Sequence, residues 1–136
     1  MVGASNLEKK ILNEYRSVAV VGASPDPERP SHRVFNYLAQ HGYHLIPVNP
    51  NAQEMSGHVS YPDLLSIPER VEVVDIFRNS SEVLPVVEQA ILIGAKAIWM
   101  QEGVINKEAA AKAKKAGLLV VMDKCMMKEH RSLMHE

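Results

Sequence analysis

The chain has 136 residues, 46% of them hydrophobic and 23% charged, with a formal net charge of −1. That length and balance predict a single domain over residues 1–136 with a real hydrophobic core, and leave no room for a second catalytic domain. Near-neutral charge excludes a broad nucleic-acid surface, one cysteine excludes an intrachain disulfide, and no apolar run approaches the roughly 18 residues of a membrane span.

Residues 1–10 lack the apolar core of a signal segment, so the expected protein is soluble and cytoplasmic, with no membrane partner. Asn6 or Ser5 opens a short first helix reaching Tyr15. Ser17 to Gly22 is then an apolar, β-branched run ending in the small-residue turn Gly22-Ala23-Ser24. Such a run reads as the first buried strand of an α/β sheet, whose carboxyl end is where these sheets bind nucleotides. A dinucleotide fingerprint needs three glycines at that turn, but Ser24 and Pro27 occupy the second and third positions. Pro25, Pro27 and Pro30 also prevent a helix from leaving the turn directly, so the second helix is expected to begin near Ser31, its cap, and to reach Gln40.

The second strand, Tyr43 to Val48, ends at Asn49, where a binder of NAD carries an acidic ribose ligand. Neither half of that signature is intact. Residues 51–68 show little periodicity beyond a short helix near Asp63 to Ser66. A strand follows at 71–77, and Ser80 or Ser81 caps a helix through Ile93 with Pro85 near its first turn. The next strand is 95–100. Asn106 caps an alanine-rich helix, Lys107 to Ala116, ahead of a strand at 118–122 and a last helix at 126–133. Gly42, Gly94 and Gly117 each stand between a helix and a strand, as left-handed helix stops do. Strands alternating with helices demand a parallel sheet of five strands with right-handed crossovers and helices on both faces.

In that layout every strand opens at its carboxyl end onto polar or unusual residues. These are Gly22-Ala23-Ser24, Asn49-Pro50, Phe77-Arg78, Gln101-Glu102-Gly103 and Asp123-Lys124-Cys125. A ligand lying across the rim accounts for all five together.

The motifs Val20-Val21-Gly22-Ala23-Ser24, Pro47-Val48-Asn49-Pro50, Val74-Asp75-Ile76-Phe77-Arg78, Trp99-Met100-Gln101-Glu102-Gly103 and the segment Asp123 to His130 resemble, in that order, the small single-domain coenzyme A-binding proteins. That family is similar to the amino-terminal domain of the succinyl-CoA synthetase α subunit, and the likeness runs from about Ile11 to Leu133. It implies a Rossmann-like three-layer α/β/α domain holding coenzyme A, or an acyl-CoA, across the rim. Carried over by position, Gly22, Ala23 and Ser24 would offer backbone donors to the phosphates. Asn49 and Pro50 would border the nucleotide, with Phe77 as an apolar edge and Arg78 as a cation. Met100, Gln101 and Gly103 would touch the pantetheine. Arg29, Ser31 and Arg33, with Arg78, would neutralise phosphate charge.

The chain departs from the synthetase in lacking the domain that carries its phosphorylated histidine. The resemblance therefore implies non-catalytic binding, as a sensor or a partner subunit, and leaves a protein partner or a homo-oligomer open. The alternative class is a small enzyme dependent on NAD(P) or another nucleotide. The remaining notable side chains have plainer readings. His32, His41, His44 and His58 are surface or packing residues, His130 and His135 belong to a charged tail, and Met122, Met126, Met127 and Met134 fill core gaps. Cys125 is either a small buried residue or a thiol near a helix start with a lowered pKa. With His130 it lacks the spacing of a metal site.

Overall fold

The computed structural model describes residues 6–51 and 54–135. Ser5, named above as one of two helix openers, lies outside them. Helix α1 (Asn6–Glu14) leads into β1 (Ser17–Val21), α2 (Pro30–Ala39) and β2 (His44–Val48). A two-stranded hairpin, β3 (Glu54–Met55) and β4 (His58–Val59), and a 3-10 turn at Leu64–Ser66 precede β5 (Val73–Ile76). A second 3-10 turn, Ser80–Glu82, runs into α3 (Val83–Leu92), followed by β6 (Ala97–Met100), α4 (Lys107–Lys115), β7 (Leu119–Val121) and α5 (Met126–Met134).

The main sheet has the order β2-β1-β5-β6-β7, and every pairing in it is parallel. Strand alternation divides the core in two. Ala19, Val21, Ile46, Val74, Ile76, Ile98 and Met100 join Val83, Val87 and Ala90 of α3 and Ala109 and Ala113 of α4 on one face. Val18, Val20, Leu45, Val73, Ala97 and Trp99 join Ile11 of α1, Phe35 and Leu38 of α2 and Met126 of α5 on the other. Burying a large side chain such as Phe35 or Leu38 contributes about 1.5–3 kcal/mol, and both are fully buried. The result is the expected three-layer α/β architecture. Among the described residues no helix is long and apolar enough to cross a membrane.

Local chemistry sets the element ends. The Asn106 side chain accepts a hydrogen bond from the Ala109 amide at 2.9 Å, capping α4. Asp63 caps the first 3-10 turn through the Ser66 amide. Helix α2 departs from expectation: it starts at Pro30, with Arg29 as its N-cap and no side-chain cap bond. Proline suits that first position because the N–H it lacks would have had no helical partner. Ser31 lies inside the first turn instead, and its hydroxyl accepts the Ser24 amide at 3.1 Å.

The hairpin was not expected. Ser56 and Gly57 both take positive φ, 50° and 80°, the geometry of a tight two-residue turn. Beyond it Tyr61 bridges to the edge of β2, donating its amide to the Pro47 carbonyl at 3.0 Å while the Asn49 amide donates to the Tyr61 carbonyl at 2.9 Å. Proline is tolerated in β2 because this is the outer edge of the sheet. His130, placed above in a charged tail, is built into a ring cluster with Tyr37, His41 and Tyr43, its Nδ1 lying 2.9 Å from the Tyr37 hydroxyl. Burial, then the neighbouring His41 and Arg16 charges, holds its pKa below the ordinary histidine value.

Candidate functional site

After β1 the chain turns to β2 on one side, then crosses back to place β5 on the other, so the sheet switches direction between β1 and β5. A crevice opens at such a point, at the carboxyl ends of the strands. Gly22 ends β1 there with φ +86°, and its amide donates to the Val48 carbonyl at 3.0 Å. A Cβ at this position would run into the Phe77 carbonyl, so only glycine lets the β1 and β5 ends approach this closely.

Two clefts flank that contact and share Gly22 and Arg78. On the α3 side lies a largely apolar cleft of about 390 Å³, walled by Val21, Val48, Pro50, Pro62, Leu64 and Val86, with the carboxylates of Asp63 and Glu82 on its border. On the α2 side lies a more polar cleft of about 600 Å³, lined by Ser24, Arg29, Ser31, Phe77, Asn79 and Gln101. A polar groove with Asn49, Asn51 and Asn79 runs between them, again over Gly22 and Arg78. The amino end of α2 faces the polar cleft through Arg29, Pro30 and Ser31, which adds a positive dipole end to the Arg29 charge.

Several of the sequence-derived candidates meet here. Gly22, Ser24, Arg29, Ser31, Asn49, Pro50, Phe77, Arg78 and Gln101 all line one cleft or the groove. Ala23 is buried, its carbonyl accepting from Asn49 Nδ2 at 2.7 Å. Arg33 donates from Nη1 to the Glu28 carbonyl at 3.2 Å, outside the clefts' linings. Met100 is fully buried against the α3 and α4 face. Gly103 holds a loop, its amide donating to Asp123 Oδ1 at 2.7 Å. Cys125 is a buried free thiol at the start of α5, 4% exposed.

Pro62, Leu64, Glu82, Pro85 and Gln89 line the apolar cleft without having been singled out. The 3-10 turn near Asp63 and the proline near the start of α3 were both legible, but nothing in the sequence indicates that they face each other. Arg78 is half-buried and donates from Nη2 to Glu82 Oε2 at 3.1 Å. Gln101, one of the residues lining the polar cleft, is buried, and its Oε1 is enclosed without a hydrogen-bond donor. Beneath the rim Asp75 is completely buried with neither carboxylate oxygen partnered, and burial pushes its pKa well above the ordinary value. Asn49 Oδ1 also accepts the Asn51 amide at 2.8 Å, so this side chain links the turn after β1 to the loop after β2 while lining the groove. No histidine or cysteine is among the described residues lining the three depressions, and no described cluster of three or more His, Cys, Asp or Glu could hold a metal.

The parallel sheet, the glycine at its switch point and the clefts along its rim define a Rossmann-like three-layer α/β domain. More particularly, residues 16–131 match the CoA binding domain family, and the chain belongs to that family. A relative described as uncharacterized protein YneT from Bacillus subtilis is 36% identical over 122 residues, 90% of each chain. The solved structure of a hypothetical protein from Pyrococcus horikoshii is 47% identical, with a TM-score of 0.90 over 93% of this chain and 89% of that one. The ADP-forming acetate–CoA ligase I of Archaeoglobus fulgidus is 28% identical over 119 residues, a match to 80% of this chain but only 17% of the ligase.

Proposed function

We propose that this protein binds coenzyme A or an acyl-CoA across the carboxyl rim of its sheet, and that it acts as a binding protein rather than a catalyst. The observation that carries the reading is the pair of clefts of unlike polarity meeting over Gly22 and Arg78. An adenosine fits the apolar cleft, where Val21, Val48 and Leu64 offer flat apolar contact. The diphosphate then crosses the Gly22 contact, facing the Arg78 guanidinium and the amino end of α2. Pantetheine continues along the polar cleft past Ser24, Ser31 and Gln101.

The amides of Gly22 and Ser24, expected from the sequence as phosphate donors, already serve the Val48 carbonyl and the Ser31 hydroxyl. In this reading the charge of Arg78 and the α2 dipole replace them. Membership of the family supports coenzyme A as the ligand class. The ligase match covers 17% of that enzyme, so only coenzyme A binding, and not the ligase reaction, is carried into this proposal.

The test is calorimetric titration of ligand-stripped protein with coenzyme A, acetyl-CoA and NAD. Saturable binding of the first two, and weaker or no binding of NAD, is the expected result. Binding of NAD alone, or of none of the three, refutes the proposal.

A further inference from the structure

The charge around the adenosine end carries one step more, resting on the orientation proposed above. The ribose of coenzyme A bears a 3′-phosphate of about −1.5 to −2 charge at neutral pH, a group that arginine and lysine stabilise. The wall it would meet has the opposite character. Asp63 and Glu82 both border the apolar cleft, and Glu82 also borders the asparagine-lined groove beside it. From Asn49 to Glu69, and again from Asn79 to Ala95, the sequence holds no lysine or arginine.

Arg78 is the one lysine or arginine among the described residues lining that cleft and groove. It is already paired with Glu82 and stands beside Gly22, where the diphosphate crosses. A ribose hydroxyl, by contrast, suits this wall, because a carboxylate near the end of the second strand accepts its hydrogen bond. Asp63 Oδ1 accepts from the Ser66 amide and hydroxyl and Glu82 Oε2 from Arg78; of the two carboxylates only Glu82 borders both the cleft and the groove, which makes it the acceptor assigned here.

We infer that the protein reads the adenosine, diphosphate and pantetheine of its ligand but not the 3′-phosphate, so that dephospho-coenzyme A binds at least as tightly as coenzyme A. Glu82 is the residue that sets this preference. It repels a phosphate on the ribose and welcomes a free hydroxyl.

The experiment titrates the full chain with coenzyme A and dephospho-coenzyme A at two salt concentrations, for the wild type and for Glu82→Gln and Glu82→Lys. In the wild type the two Kd values are equal, or dephospho-coenzyme A is favoured by up to about tenfold. Any such gap narrows as salt screens the repulsion. Glu82→Lys tightens coenzyme A by about tenfold relative to dephospho-coenzyme A, with Glu82→Gln in between. Coenzyme A bound tighter by about threefold or more in the wild type overturns the inference while leaving coenzyme A binding itself intact. An equal response of both ligands to Glu82→Lys also overturns it, since the ribose then lies elsewhere. Binding of neither ligand to the wild type instead defeats the functional reading beneath it.

Discussion

Replacing Asp75 should make this protein more stable, and the gain should depend on pH in a defined direction. Asp75 lies in the central strand β5, paired across the ladder with Val20 and Trp99, fully buried and with both carboxyl oxygens unpartnered. Burial favours the neutral acid, so its folded pKa stands well above 3.8, the value of a free aspartate. The folded chain therefore holds a proton that the unfolded chain releases above pH 3.8, and stability falls as pH rises through that window. The slope attributable to Asp75 approaches about 1.4 kcal/mol per pH unit until the folded carboxyl itself ionises. Asp75→Asn cannot ionise and should remove this slope, so its stability relative to the wild type improves steadily from pH 4 upward. Asp75→Val, β-branched and apolar, should also recover the roughly 1–3 kcal/mol that an unpartnered buried polar group costs even when neutral. That corresponds to a rise of about 3–5 °C in Tm for each kcal/mol in a chain of this size. Urea unfolding of the three proteins at several pH values, followed by far-ultraviolet circular dichroism, measures both effects. If the wild type and Asp75→Asn lose stability in parallel between pH 4 and 7, Asp75 is not held protonated and the reasoning fails.

Gly22→Ala forces a Cβ against the Phe77 carbonyl at φ +86° and should cost about 1–3 kcal/mol, with loss of coenzyme A binding; a thermal melt matching the wild type would show that the β1 and β5 ends can part freely. Arg78→Ala should weaken coenzyme A binding by about tenfold or more with little change in Tm, because the guanidinium faces the clefts and its ion pair with Glu82 is exposed; unchanged affinity in calorimetry would move the phosphates elsewhere. Glu72 accepts hydrogen bonds from the Arg16 and Ser17 amides, led by that of Arg16, which hold its carboxylate below the usual range. Its stabilisation is present above about pH 4.5 and is lost as pH falls through the lower folded pKa, so Glu72→Gln should be about 1 kcal/mol less stable than the wild type at pH 7, with the deficit closing in acid; a constant deficit in pH-dependent melts would contradict this.

The parallel sheet was legible because its strands are short β-branched runs, and because Gly42, Gly94 and Gly117 mark the ends of helices by the positive φ that each adopts. Asn106 announced α4 for the same local reason, a side chain that caps its own helix. Legibility stopped where position depends on contacts distant in sequence. Ser31 looked like a helix cap, yet Pro30 at the first helical position moved the start of α2 and sent the Ser31 hydroxyl to the Ser24 amide. The hairpin turns on Ser56-Gly57, a weaker signal than asparagine or aspartate before glycine. Within one motif the structure separates neighbours: alternation with Ile98 puts the Met100 side chain under α3 and α4, while Gln101, one residue on, lines the polar cleft. The Glu82 carboxylate gave no local sign of facing the β2 end, because that juxtaposition exists only once α3 packs across the sheet.

Asn49 ties the turn after β1 to the loop after β2, donating to the Ala23 carbonyl while accepting the Asn51 amide. The two loops that frame the rim are thus fastened to each other by protein atoms alone. A receptor whose walls are already fixed loses little freedom when it captures a guest, and the entropy of ordering falls mainly on the guest. A flexible ligand of the kind proposed would surrender its own torsions on entry, so stiffening the ligand, rather than the rim, is what would tighten the complex.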